Sequence, residues 1–117
     1  MKEYQVKFLS HAEDDILKMA RYISNELYNP EAAIRLVNKM RAKANGLKTR
    51  PERYKKYEPF TPLKKEFRQI IIENYTMFYF IDENKSKVFI AYVMHHRQDY
   101  DLVLATFKIG VEMVDKK

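Results

Sequence analysis

A chain of 117 residues with 46% hydrophobic content is long enough to bury a core, and only two glycines and four prolines exclude a loop-dominated or disordered polymer. The absence of cysteine rules out a disulfide framework and a thiolate metal site, and the charged start MKEYQVKF offers no apolar signal segment, so a cytoplasmic protein without a membrane span is expected. The formal charge of +6 favours acidic or polyanionic partners; eight basic and three acidic residues from Lys48 to Arg68 carry +5 of it, a local patch in place of a diffuse bias.

In chain order, residues 4–9 alternate around Tyr4, Val6 and Phe8 and read as a first strand. Ser10 followed by Glu13 has the spacing of a capping box, which starts a helix at His11. Ala12, Ile16, Met19, Ala20, Ile23 and Leu27 form its apolar stripe. Tyr28-Asn29-Pro30-Glu31 breaks that helix and opens a second, with Asn29 as cap and Pro30 at the first helical position. Ala33, Leu36, Val37, Met40, Ala44 and Leu47 make the second stripe, and the helix ends near residues 47–49, before Pro51. So short a link implies an antiparallel hairpin whose two stripes need a layer to cover.

Residues 50–65, with Pro51, Pro59 and Pro62, read as a long loop of the functional kind. Three β-branched and aromatic runs follow at 68–73, 75–82 and 88–95, separated by turn signals at Glu73-Asn74 and at residues 82–86: an antiparallel meander. Residues 99–115 suggest a short helix or arm. One domain spans 1–117, with a core of about 4–99 and a C-terminal arm at 100–117.

Two constellations carry chemistry. Arg53, Lys55, Lys56, Lys64 and Lys65, with Lys48 and Arg50, interleave with Tyr54, Tyr57 and Phe60. Cations that track phosphates and aromatics that stack bases suit a nucleic-acid strand, and the same surface suits an acidic protein segment. Arg68 opens the meander and His95-His96-Arg97 closes it. On an antiparallel sheet these ends are expected near each other, around a face that the helices leave open, and alternation sends the two histidines to opposite faces if the strand persists that far. The blander readings are solvated strand-end charges and a loop whose lysines serve solubility. No third ligand stands at a convincing spacing beside the histidines, so neither a metal nor another cofactor is expected.

Asn29-Pro30-Glu31-Ala32, then Pro51, Arg68, Asn74-Tyr75 with Tyr79, and His95 with Arg97 and Asp99 form an ordered set. In that order the chain resembles the RelE/ParE superfamily of bacterial type II toxin–antitoxin toxins. The resemblance implies an α+β fold of order β-α-α-β-β-β, a helical hairpin on a four-stranded antiparallel sheet, with a C-terminal helix. It also implies a growth-inhibiting toxin of the plasmid-stabilisation kind, neutralised by a cognate antitoxin in a hetero-oligomer. Such toxins act by ribosome-dependent mRNA cleavage or on DNA gyrase.

Cleavage through the 2′-hydroxyl requires a base, an acid and cations on the phosphorane. Arg68 and Arg97 suit the last role, and His95 or His96 the first two. Tyr100 stands near the C-terminal tyrosine of ribonuclease members. Those members carry arginine directly after the strand-three tyrosine, where this chain has Thr76, and lysines that align with Phe67 and Gln69. Both departures argue against an enzyme. The alternative class is a non-catalytic or decayed toxin fold that binds nucleic acid.

Overall fold

The structure is a computed structural model and describes residues 2–107. Strand β1 (Gln5–Phe8) leads into helix α1 (Ser10–Arg21), a π-helical turn (Tyr22–Glu26) and helix α2 (Pro30–Asn45). Short 3-10 turns at Gly46–Lys48 and Pro51–Arg53 precede β2 (Arg68–Ile72), β3 (Tyr75–Asp82), β4 (Lys87–His95) and α3 (Tyr100–Ala105). The last expected arm residues, 108–117, lie outside the described part. No helix among the described residues is long and apolar enough to cross a membrane.

The antiparallel meander forms as expected, and its register sets Arg68 opposite Tyr79 and Ile72 opposite Tyr75 across β2 and β3. The sheet order is β1-β4-β3-β2, and β1 runs parallel to β4, Phe8 facing Ile90, so the sheet is mixed and not wholly antiparallel as expected. The hairpin explains this. It travels out along α1 and back along α2, and Tyr4 N–H donates to Lys48 O at 2.8 Å beside the start of β1. The chain therefore enters β2 in the direction of β1, and after two reversals β4 has that direction too.

The capping box does not form. Leu9 takes the N-cap place in an extended conformation, and α1 starts at Ser10 with no side-chain cap. Leu9 is fully buried and its N–H is bonded to Ile90 O at 2.9 Å, so the strand fixes the start of the helix and leaves Ser10 inside it. Glu13 pairs with Arg41 of α2 instead, at 2.8 Å. The second cap forms as expected: Asn29 Oδ1 accepts Ala32 N–H at 3.1 Å, with Pro30 following.

Ala12, Ile16 and Met19 of α1 and Leu36, Met40 and Ala44 of α2 pack on Ile70, Ile72, Met77, Tyr79, Val88 and Ile90, one face of the sheet. The other face, expected to be open, is filled. Phe67, Phe78, Phe80, Phe89, Tyr92 and Met94 form a second cluster closed by Leu9, by Leu104 and Phe107, and by Tyr57 and Leu63 of the loop. The cause is in the strands themselves: Thr76–Phe80 and Val88–Met94 are buried at every position, the signature of a sheet covered on both sides. A register shift at Phe78/Tyr79 places Ala91 as an extra residue, and both Ala91 and Tyr92 join this second cluster.

Candidate functional site

β1 pairs with β4 only as far as Ile90, so among the described residues the distal half of β4 has an outer edge without a neighbouring strand. Two side chains stand in for the missing partner. Asp15 of α1 accepts Val93 N–H at 2.9 Å, and Gln98 Oε1 accepts His95 N–H at 2.9 Å. Burial raises the pKa of Asp15, against the opposing pull of the Val93 N–H and of His11.

The space left beside this edge is a cleft in two parts. One, of about 430 Å³, lies toward α1 and is lined by Asp15, Lys18 and Gln98. The other, of about 360 Å³, lies toward the start of α2 and is lined by Asn29, Arg35 and Glu73. Tyr22, Tyr75, His95 and Arg97 border both. Glu73 is held by Arg35 at 2.7 Å and Lys39 at 3.5 Å, which lower its pKa, the Arg35 bond first.

His95 packs edge-on against Tyr75 with centroids 5.1 Å apart. Arg97 N–H donates to its Nδ1 at 3.2 Å, which leaves the ring proton on Nε2. Partial burial, then the charges of His96 and Arg97, lower its pKa and so disfavour the charged ring. The strand does not persist far enough for alternation to split the two histidines. β4 ends at His95, the two rings lie 4.3 Å apart, and His96 N–H turns back to Asn74 O at 2.8 Å.

Arg68 is far from this cleft. It stands opposite Tyr79 while His95 stands opposite Tyr75, so four residues of β3, about 13 Å, separate the two levels. β2 and β4 are parallel, so the start of one and the end of the other lie at opposite ends of the sheet. The Arg68 guanidinium donates to the carbonyls of Glu52 and Tyr54 at 2.9 and 2.7 Å. Beside it Tyr79, whose hydroxyl burial pushes up to about 12, donates to Pro51 O at 2.5 Å. Both groups fasten the turn after α2. Tyr100 belongs to the other face of the sheet: its hydroxyl lies 3.2 Å from Thr76 Oγ1 and its ring packs on Phe78 at 5.0 Å.

The loop cations are not one groove. Arg53 donates to Gly46 O at 2.5 Å, and a Cβ on Gly46 would lie 2.6 Å from that guanidinium, so the glycine is required. Lys56 pairs with Glu66 at 3.1 Å and Lys65 sits 4.5 Å above the Phe80 ring. Lys55 and Lys64 are exposed. Asp15, Tyr22, Arg35 and Gln98 are among the cleft residues that sequence reasoning missed. Asp15 stands three residues after Ala12 and four before Met19, inside the apolar stripe, which is the signal that would have found it.

A helical hairpin on a mixed four-stranded sheet is the fold this chain shares with RelE/ParE-type toxins of known structure. Residues 6–100 match the family described as the ParE toxin of the type II toxin–antitoxin system parDE, and the chain belongs to that family. Among solved structures, the chromosomal ParDE system of Pseudomonas aeruginosa is similar at 14% identity with a TM-score of 0.64, over 80% of this chain and 96% of that one. The RelBE2 toxin–antitoxin complex of Mycobacterium tuberculosis shares 22% identity at a TM-score of 0.54, over 81% of this chain and 93% of that one. A mutant of Escherichia coli toxin RelE in the free state shares 16% at 0.53, over 88% and 94%. A comparison with curated protein sequences gives no match.

Proposed function

We propose that this chain is the toxin of a type II pair, held inactive by a cognate antitoxin, and that it arrests growth by poisoning DNA gyrase, without cutting mRNA. The separation of the groups that cleavage would need carries this reading. In-line attack by a 2′-hydroxyl requires base, acid and phosphate-binding cations within hydrogen-bond reach of one phosphate, about 3 Å each. Here His95 and Arg97 face the helices, Tyr100 packs on the opposite face, and Arg68 is bonded to carbonyls at the other end of the sheet. Thr76, where ribonuclease members have arginine, is buried against Tyr100. An apolar groove of about 510 Å³ between α1 and α2, floored by Ala33 and Val37 with Ile34 at its rim, offers an antitoxin segment a seat.

Induction of the chain without antitoxin, with RNA and DNA followed together, tests the proposal. Cleaved gyrase–DNA complexes and altered supercoiling with intact mRNA are expected. Codon-specific cuts at the ribosomal A site, with normal supercoiling, would overturn it.

A further inference from the structure

The loop between the Pro51–Arg53 turn and β2 presents one side chain that nothing among the described residues covers. Phe60 is 100% exposed, whereas the other phenylalanines of the described residues are buried or half-buried. The loop holds it there firmly. Pro59 precedes it and Pro62 follows two residues on. Phe60 N–H donates to Asp101 Oδ2 of α3 at 2.7 Å, and the other oxygen of that carboxylate takes the Tyr57 hydroxyl. Tyr57 is wedged edge-on against Phe78 and Tyr100, with centroids 5.3 and 6.0 Å away. At the base, Tyr57 N–H reaches Phe67 O at 2.9 Å, Gln69 N–H reaches Lys55 O at 3.0 Å, and Lys56 pairs with Glu66 at 3.1 Å. A loop that only connects α2 to β2 has no use for such bracing behind a bare ring. Bracing of this kind removes the ordering cost that an anchor residue would otherwise incur on binding.

We infer that Phe60 is a docking anchor, an aromatic side chain presented for insertion into an apolar pocket of the protein that this toxin attacks. Its surroundings separate a protein partner from a nucleic acid. A wedge between bases needs cations at its flanks to meet the phosphates. The neighbours of Phe60 are Glu58, Pro59, Thr61 and Pro62, and the nearest cations in sequence are Lys64 and Lys56, the latter already paired. The anchor lies on the side of the sheet away from the groove between α1 and α2, so an antitoxin seated in that groove leaves it accessible.

Naming the partner as DNA gyrase rests on the function proposed above. The experiment compares full-length wild type with Phe60→Ser and Phe60→Leu in thermal melting, growth arrest and affinity for purified DNA gyrase. Because the Phe60 ring is fully exposed, melting should be unchanged in both variants. Phe60→Ser should lose growth arrest and bind gyrase on the order of 30-fold more weakly or worse, with Phe60→Leu between it and wild type. Equal gyrase affinity of wild type and Phe60→Ser would overturn the anchor and leave the gyrase reading standing. If wild type itself does not bind gyrase, that reading fails and growth arrest decides the anchor. Arrest by Phe60→Ser at wild-type strength then overturns it, and loss of arrest with unchanged melting supports it. DNA binding by wild type that Phe60→Ser abolishes would assign the ring to nucleic acid and overturn it as well.

Discussion

At the scale of single residues, Asp15 shows how one carboxylate closes a sheet edge at a cost that depends on pH. It takes Val93 N–H where β1 no longer runs, and burial raises its pKa above the ordinary value. The folded state therefore keeps this proton to higher pH than the unfolded chain does. Between the two values the native state binds more protons, so stability falls as pH rises through that window and levels off above it. In Asp15→Asn the amide oxygen still accepts the Val93 N–H and cannot ionise. The melting temperature of the variant should gain on wild type as pH rises from the lower edge of the carboxylate range, with a constant gap above the raised value. Glu73, whose lowered pKa acts with the opposite sign, is common to both proteins, so the difference isolates Asp15. A gap that moves in favour of wild type with rising pH would contradict the assignment.

Among the elements, α3 matters more than its length suggests. It brings Leu104, 2% exposed, onto Phe67, Phe80 and Tyr92, while Leu102 faces solvent at 65%. Leu104→Ala should cost about 2–5 kcal/mol in chemical denaturation, and Leu102→Ala within about 0.5 kcal/mol. Equal effects would mean that the second face of the sheet is open in solution. The helical hairpin was legible from apolar residues recurring at three and four along α1 and α2, and the meander from β-branched and aromatic runs such as Ile70-Ile71-Ile72 broken by turn signals. The closed second face was legible in principle, since Met77–Phe80 are apolar without interruption. The direction of β1 was not, because it depends on where the hairpin returns the chain, a tertiary fact marked by the Tyr4–Lys48 bond. The site was half legible for the same reason. His95 and Arg97 share one turn, but Asp15 and Tyr22 reach them only through the packing of α1 beside β4. The expected approach of Arg68 to Arg97 fails on the meander's own geometry, since two reversals make β2 and β4 parallel.

For the whole molecule, the charge of +6 is a weaker guide to partners than its local concentration implied. Of the eight cations from Lys48 to Arg68, Arg53 and Arg68 are bonded to carbonyls, Lys56 to Glu66, and Lys65 lies on the Phe80 ring. Lys48, Arg50, Lys55 and Lys64 are exposed, and these are the cations of the segment left for a phosphate backbone. Each neutralised phosphate contributes about 0.9 to the slope of log K against log salt. Four cations give a slope of about −3.6, whereas all eight acting together would give about −7. Titration of a labelled DNA duplex by fluorescence anisotropy across a salt series measures this, and a shallow slope that Lys64→Ala lowers by about one is expected. A slope near the larger value would mean that nucleic acid draws Arg53, Lys56 and Lys65 out of their present contacts, and the loop would then have to be treated as one polyanion-binding surface.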